Sequence, residues 1–196
     1  MKIIVGLTGT TGSGKSTVSA VFSDCGFEII DCDKMARIAV EKGSPLLPKL
    51  SSAFGNDVIK DDGTLDRKRL ASKAFADEAH TCTLNSIMLP YICEMINERI
   101  EQSSERYILL DAPTLFESGA DSICTSTVGV IAPPQTRLER IMRRDSITEE
   151  EARRRMSIQH DDMFFKENCT YVINNAEDVA ELKKAARRLA EQLKKG

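Results

Sequence analysis

A glycine-rich loop near the start of the chain has the composition and spacing of a phosphate-binding site. The stretch GTTGSGKS matches the pattern G-x-x-x-x-G-K-[ST] at every defined position. Gly9, Gly12 and Gly14 let the backbone turn tightly, so that several N–H groups converge on phosphate oxygens. Lys15 brings a positive charge to the β- and γ-phosphates, and the Ser16 hydroxyl is suited to Mg²⁺. The loop therefore predicts a site for a nucleoside triphosphate and Mg²⁺.

Two aspartates after the second predicted strand, residues 27–30, are candidates for an acceptor site. Ligands of open parallel sheets bind outside the carboxyl ends of the strands, so Asp31 and Asp33 are expected near the phosphate loop. A carboxylate there can accept the proton of an attacking hydroxyl and orient its oxygen. Asp33 could equally cap a helix that begins at Lys34, and the residues alone leave both roles open.

Three arginines on one predicted helix, residues 135–144, are a candidate source of mobile positive charge. Arg137, Arg140 and Arg144 have the i, i+3, i+7 spacing of one helix face. On a helix that closes over ATP, they could bind the nucleotide and neutralise charge in the transition state. An ordinary solvated face is the alternative, but this helix follows a core strand, where small kinases carry a lid.

Asp111 is a further candidate for the metal site. It follows four apolar or aromatic residues in the predicted strand 107–112, as a carboxylate associated with Mg²⁺ would. A buried strand that ends in a hydrogen-bonded aspartate would look the same, so direct ligation of the metal stays open.

The bulk composition argues against several other classes of protein. The 196 residues include 27 basic and 30 acidic side chains, a net charge of -3, so a general basic surface for nucleic acid is absent. The sequence has no apolar run long enough to span a membrane and no signal-peptide pattern. Six cysteines without a C-x-x-C pair predict reduced thiols. We expect a cytoplasmic enzyme without nucleic-acid or membrane partners, and the sequence does not define its oligomeric state.

The order of the predicted elements favours an α/β fold. Short apolar strands alternate with helical segments, which predicts a three-layer, parallel sheet of the P-loop NTPase type. The predicted strands are residues 2–7, 27–30, 107–112, 126–132 and 171–174. The first strand and a predicted helix at 15–25 flank the phosphate loop, as a nucleotide site requires.

Two helical regions interrupt this alternation. Residues 34–104 contain helical pieces separated by turns and predict a helical insertion, in which Asp66 should cap a helix that begins at Arg67. Within it, a helix over residues 78–100 should kink or break at Pro90. Two Arg-rich helices after the fourth strand, 135–144 and 149–159, predict a helical lid at about residues 135–160. Thr148 and Glu151 have the spacing of a capping box at the start of the second helix.

A nucleotide-binding loop alone fits a small-molecule kinase, a GTPase switch or an ATP-driven remodelling protein. The guanine-specific pattern N-K-x-D is absent from the sequence, and the chain is short for a motor. The acceptor aspartates and the arginines favour a kinase. A kinase for another small alcohol or a nucleoside monophosphate, and a regulatory nucleotide-binding protein, remain alternatives.

Several stretches together resemble the dephospho-CoA kinase family over essentially the full length. They are GLTGTTGSGKSTV, IIDCDKMAR, FGNDVIKDDGTLDRKRLASKAF, DAPTLFE and QTRLERIMRRDSITEEEARRRMSIQ. The resemblance implies that the protein uses ATP to phosphorylate the ribose 3′-hydroxyl of dephospho-CoA, the last step of coenzyme A synthesis. It also implies a nucleotide-binding core at residues 1–32 and 106–196, with residues 33–105 as the domain that receives the CoA portion.

The same resemblance implies roles for individual residues. Asp33 would be the base that engages the 3′-hydroxyl, Arg140 the lid arginine, and Asn175 a neighbour of the adenine ring. Near the acceptor it implies Thr8, Thr10, Leu115 and Glu117. Around the ATP phosphates it implies Gly12, Ser13, Gly14, Lys15, Ser16 and Thr17.

The chain departs from the family pattern at two positions. Leu89 stands before Pro90 where the family usually has histidine, so any substrate contact of that imidazole is missing. Thr114 stands where leucine is usual, which changes the acceptor wall slightly. Neither substitution removes a group that we assign to the chemistry.

Overall fold

The computed structural model of the chain describes residues 2–195, which divide into two compact units. The first unit contains the residues up to Asp31 and those from Ser104 onward, and the second is Cys32–Ser103. Each unit buries an apolar cluster of its own. The phosphate loop and the predicted lid belong to the first unit, whereas Asp33 lies at the start of the second.

The first unit is built on a five-stranded parallel sheet with the strand order β2-β3-β1-β4-β5. The strands are β1 (Ile3–Gly9), β2 (Glu28–Asp31), β3 (Tyr107–Asp111), β4 (Ser126–Ile131) and β5 (Tyr171–Asn174). All pair in parallel, so their carboxyl ends share one edge of the sheet. The five predicted strands and the α/β class are thereby confirmed, and β1 continues two residues further than predicted, to Gly9.

Helices cover both faces of this sheet. The helices of the first unit are α1 (Lys15–Asp24), α6 (Pro134–Asp145), α7 (Glu149–Ser157), α8 (Asp162–Asn168) and α9 (Val179–Lys195), with a 3₁₀ turn at Ala120–Ile123. On one face, α1 and α9 bury their apolar sides against alternate residues of the strands, such as Val128 and Val130. Between those two valines, Gly129 faces the other way, toward Phe165 of α8.

The second unit is all helical. It contains α2 (Cys32–Ile38), α3 (Leu46–Phe54), α4 (Arg67–Ala74) and α5 (Glu78–Gln102), with a 3₁₀ turn at Asn56–Val58. Asp66 caps α4 as predicted, because its side chain accepts a hydrogen bond from the N–H of Arg69 at 2.9 Å. The predicted break in α5 is absent, since the helix runs through Pro90. Apolar side chains before and after Pro90, including Met88 and Tyr91, pack on the same core and hold the two halves together.

The lid region contains one helix more than predicted. A capping box of Thr148 and Glu151 starts α7, as the sequence indicates. The short helix α8 was not predicted, although Asp161 caps it by accepting from the N–H of Phe164 at 2.9 Å. It covers the sheet face at Gly129, where a Cβ atom would lie 2.9 Å from Sγ of Cys169.

The cysteines show no sign of cross-linking. None of the six, all of which lie within residues 2–195, forms a disulfide. Burial raises the pKa of the Cys169 thiol to about 11, so this thiol stays protonated and unreactive at neutral pH. None of the helices within residues 2–195 has the length and apolar character needed to cross a membrane.

Candidate functional site

The phosphate loop joins the end of β1 to the start of α1 at the carboxyl edge of the sheet. It turns through a hydrogen bond from the N–H of Ser13 to the carbonyl of Thr10, at 3.1 Å. Gly14 is the N-cap residue of α1 and has φ of 99°, a left-handed conformation that favours glycine. The N-terminus of α1 therefore opens onto the loop, where its dipole attracts an anion.

Two glycines of the loop lie so close to neighbouring elements that no side chain would fit. A Cβ atom on Gly12 would lie 2.9 Å from the carbonyl oxygen of Arg137, in α6. A Cβ atom on Gly14 would lie 2.6 Å from Nδ2 of Asn175, just after β5. The loop is thus held between the lid helix and the end of the sheet.

Lys15 and Asp111 form an ion pair. The Nζ of Lys15 donates to Oδ1 of Asp111, and the side chains are only 20% and 15% exposed. Asp111 reaches the loop because β3 and β1 are neighbours, with Leu7 in register with Asp111. This ion pair fits the reading of Asp111 as a hydrogen-bonded aspartate at the end of a buried strand. Direct ligation of the metal by Asp111 stays a prediction.

The oxygen atoms around this ion pair suit a magnesium ion. Mg²⁺ prefers oxygen ligands and is usually held by one or two side chains, substrate phosphates and water. Ser16 is exposed in the first turn of α1, and the Asp111 carboxylate lies beside Lys15 of the same turn. Within residues 2–195, no group of three or more His, Cys, Asp or Glu side chains could hold a metal alone. Phosphate oxygens would therefore have to complete the coordination.

The lid arginines make different contacts. Arg140 donates from Nη1 to the carbonyl of Gly12 at 3.2 Å, so it reaches the phosphate loop directly. Arg144 donates from Nε and Nη2 to the carboxylate of Asp145, at 2.7 and 2.9 Å. Its Nη2 also lies 3.5 Å from Oγ1 of Thr11, the limit of a hydrogen bond. Arg140 is therefore not simply solvated, whereas the side chain of Arg144 is 61% exposed and its main partner is the neighbouring Asp145.

Asp145 holds two arginines of the lid together. It accepts from Nη1 of Arg155 at 2.7 Å in addition to its bonds with Arg144. Hydrogen bonding to Asp145 raises the pKa of Arg144, and the bond from Arg144 lowers the pKa of the Asp145 carboxyl. Because the folded-state pKa of Asp145 is lowered, the contribution of this cluster is lost only as the pH falls through it.

Arg137 has a different environment from the other two arginines, because it is buried. It is only 7% exposed, and its Nε and Nη1 have no hydrogen-bond partner among the described residues. Thr10 and Ser13 likewise bury hydroxyl oxygens without a protein partner. Buried polar atoms of this kind are costly unless water or a ligand satisfies them.

Two residues of the site were missed by sequence reasoning. Gln159 follows α7 and accepts, through Oε1, the N–H of Thr11 at 2.9 Å. His160 lies 3.4 Å from Oε1 of Glu117, and its ring stacks on Phe164 with centroids 3.6 Å apart. Gln159 is the last residue of the QTRLERIMRRDSITEEEARRRMSIQ stretch and His160 follows it directly, which is the signal that could have found them.

The predicted acceptor residues of the first unit vary in exposure. Thr8 and Thr10 are buried, and Thr8 donates from Oγ1 to the carbonyl of Pro113 at 3.1 Å. The side chain of Leu115 is fully buried, whereas Glu117 is exposed. Their contacts with an acceptor stay predictions.

Asp33 is the second residue of α2, so it does not cap a helix that begins at Lys34. Its side chain is exposed and makes no hydrogen bond or ion pair with any described residue. The carboxylate is therefore available to an external hydroxyl. Its neighbour Asp31 is the last residue of β2.

Asn175 holds the phosphate loop through a hydrogen bond from its side chain. It is 3% exposed, and its Nδ2 donates to the carbonyl of Ser13 at 2.7 Å. Its own N–H donates to the carbonyl of Ile131 at 2.8 Å, which ties the residue to the end of β4. The Nδ2 of Asn175 is thus already hydrogen-bonded to the loop. A contact of this residue with the adenine ring stays a prediction.

Comparisons with known proteins match nearly the whole chain. The family described as CoaE, dephospho-CoA kinase, matches residues 3–181. A dephospho-CoA kinase of Bacillus thuringiensis is 40% identical over 178 residues, which cover 89% of each chain.

Two solved structures have a similar fold. A dephospho-CoA kinase from Campylobacter jejuni has a TM-score of 0.75 and 26% identity, and covers 100% of this chain and 99% of its own. The crystal structure of TT1252 from Thermus thermophilus has a TM-score of 0.84 and 29% identity, and covers 98% of both chains. The similarity therefore extends well beyond the phosphate loop.

The bond from Asn175 to the loop yields the first prediction. In Asn175→Ala the carbonyl of Ser13 loses its donor, so the loop is held less firmly and the KM for ATP should rise roughly threefold to tenfold. The free energy of unfolding should fall by about 1 kcal/mol. Steady-state kinetics and urea unfolding measure the two effects. The matched control is Asn174→Ala at the exposed neighbour, and equal effects of the two substitutions would contradict the assignment.

Proposed function

This chain belongs to the dephospho-CoA kinase family, and from this premise we infer that it transfers the γ-phosphoryl group of ATP to the ribose 3′-hydroxyl of dephospho-CoA. The product is coenzyme A, so the reaction is the last step of its synthesis. The family match over residues 3–181 carries this conclusion. The loop, with Lys15 at its end and Arg140 above it, supplies the anion site that such a transfer needs.

In the proposed reaction, the ATP phosphates bind the backbone N–H groups from Gly12 to Thr17. Lys15 exchanges Asp111 for the β- and γ-phosphates, because a triphosphate offers more negative charge than one carboxylate. Arg140 exchanges the carbonyl of Gly12 for a phosphate oxygen. Both cations then offset charge that develops during phosphoryl transfer.

Ser16 and Asp111 are the residues that would hold Mg²⁺. When bound, the ion neutralises phosphate charge and fixes the geometry of the triphosphate. Once Lys15 pairs with the phosphates, the Asp111 carboxylate would be available to help hold the ion. This explains why a lysine partner and a metal-associated carboxylate can be the same residue.

The acceptor side of the reaction depends on Asp33. Its unpartnered carboxylate accepts the proton of the 3′-hydroxyl and orients the oxygen for in-line attack. Thr8, Thr10, Leu115 and Glu117 are proposed to line the acceptor on the side of the sheet, and Arg144 and Asn175 to lie near the nucleotide.

Closure of α6 and α7 excludes water and limits wasteful ATP hydrolysis. A cytoplasmic location accords with six cysteines that form no disulfide.

One assay tests the activity and the role of Asp33 together. ADP release is measured with dephospho-CoA, with a panel of nucleosides and monophosphates, and without an acceptor; dephospho-CoA should give the only large rate.

Asp33→Asn should keep the affinity for ATP and lower turnover by roughly two powers of ten or more, since it removes a general base. Asp61→Asn, at an exposed loop aspartate of the same unit, is the control. Nearly unchanged turnover in Asp33→Asn would exclude the base.

Arg140 gives a separate prediction. In Arg140→Ala the main loss should be in kcat, because the charge that Arg140 meets increases during transfer. Arg143→Ala is the matched control, since Arg143 is an exposed arginine of the same helix without a contact to the loop. A defect in Arg140→Ala confined to the KM for dephospho-CoA would argue against a role in the transition state.

A further inference from the structure

Two consecutive side chains between α7 and α8 contact different parts of the first unit. Gln159 accepts the N–H of Thr11, at the start of the phosphate loop, through Oε1 at 2.9 Å. His160 contacts the segment that follows β3, where its Nε2 lies 3.4 Å from Oε1 of Glu117. A single short segment of the chain therefore joins the phosphate loop to the residues after β3.

The imidazole ring of His160 is held in place by aromatic packing. It stacks on the ring of Phe164, with centroids 3.6 Å apart and only 7° between the ring planes. Phe164 is fixed in turn, because Asp161 accepts its backbone N–H at 2.9 Å and Phe165 meets its ring at 90°. Phe165 is only 4% exposed, so this packing is anchored in the interior. The stack therefore keeps Nε2 of His160 close to Glu117.

The segment after β3 depends on the same packing. The ring of Phe116 meets Phe164 at 87°, with centroids 5.4 Å apart. Leu115 is fully buried and is fixed by the core, whereas the Glu117 side chain is 48% exposed. Within residues 2–195, His160 is the one group at ion-pair or hydrogen-bond distance from the Glu117 carboxylate. The position of this carboxylate therefore depends on His160.

The contact between His160 and Glu117 is better suited to positioning than to stabilising the fold. The two side chains are 39% and 48% exposed, and exposed pairs of this kind add little to stability. A glutamate without a partner samples several rotamers, and it loses that freedom when a ligand binds it. A neighbouring group that already holds the carboxylate reduces this loss and so favours binding.

We propose that His160 is a positioning residue that holds the Glu117 carboxylate in place for the acceptor, while Gln159 holds the start of the phosphate loop. The proposal rests on the proposed function, in which Glu117 lines the acceptor. A carboxylate accepts hydrogen bonds, so its partner on the acceptor is an O–H or N–H group. Two neighbouring side chains thus serve different substrates, His160 the acceptor and Gln159 the nucleotide.

One substitution separates the polar contact of His160 from its stacking. His160→Phe keeps an aromatic ring on Phe164 but removes Nε2, so the KM and Kd for dephospho-CoA should rise roughly threefold to tenfold. The KM for ATP should stay nearly unchanged, because the bond to the loop belongs to Gln159. His160→Gln should restore most of the loss, since its amide N–H can replace that of the imidazole. The matched control is His80→Phe, at the other histidine of the chain, which lies in the second unit.

Gln159→Leu tests the neighbouring side chain. Leucine is similar in size but cannot accept the N–H of Thr11, so the KM for ATP should rise roughly threefold to tenfold. The KM for dephospho-CoA should stay nearly unchanged, because His160 still holds Glu117. A merely structural role of this segment predicts a different result, in which each variant raises both KM values together.

A double-mutant cycle tests whether His160 acts through Glu117. Glu117→Ala removes the carboxylate, so His160→Phe should cause no further loss of dephospho-CoA binding in that background. Calorimetric Kd values supply the four corners of the cycle, and thermal unfolding verifies that each variant is folded.

Each result decides the proposal. Loss confined to the acceptor in His160→Phe, rescue in His160→Gln and no further loss in the Glu117→Ala background support it. Unchanged or tighter acceptor binding in His160→Phe, or equal losses for ATP and the acceptor, overturns it while the proposed function stands. If the panel of nucleosides and monophosphates reveals another acceptor, the same constants are measured with that molecule; the substrate assignment then fails and the role of His160 is decided as before. Absence of binding by any acceptor overturns both.

Discussion

The lack of a side chain at Gly12 of the phosphate loop allows a close backbone contact that positions α6. The backbone of Gly12 lies so close to the backbone of Arg137 that a single methyl group would not fit between them. This contact fixes where α6 begins relative to the loop. Arg140 follows Arg137 by three residues, on the same side of the helix, and thus reaches the carbonyl of Gly12. A backbone without side chains, which anion binding requires, therefore also positions the cation that we propose to assist the reaction.

The cations around the loop are held by protein partners that carry less negative charge than a triphosphate. Lys15 is paired with one carboxylate and Arg140 with one carbonyl oxygen, and Arg144 binds Asp145. Such contacts keep the side chains near their working positions and reduce the cost of organising them when phosphate binds.

The sequence predicted what depends on local pattern and missed what depends on tertiary contacts. The loop, the five strands and the capping box follow from spacing, so they could be read directly. The continuity of α5 through Pro90 could not, because the packing that overrides the proline comes from residues distant in sequence. The pairing of Lys15 with Asp111 joins residues 96 positions apart and depends on which strands are neighbours. The short helix α8 lacks the length at which periodicity is informative.

The hydrogen bond between Gln159 and the N–H of Thr11 has a consequence for the movement of the lid. It joins the residue just before Gly12, where the proposed phosphate site begins, to a residue that follows α7. A displacement of the far end of the lid therefore costs this bond, unless the start of the loop moves with it. The loop and the lid are thus linked from both ends, through Arg140 in α6 and through Gln159 after α7.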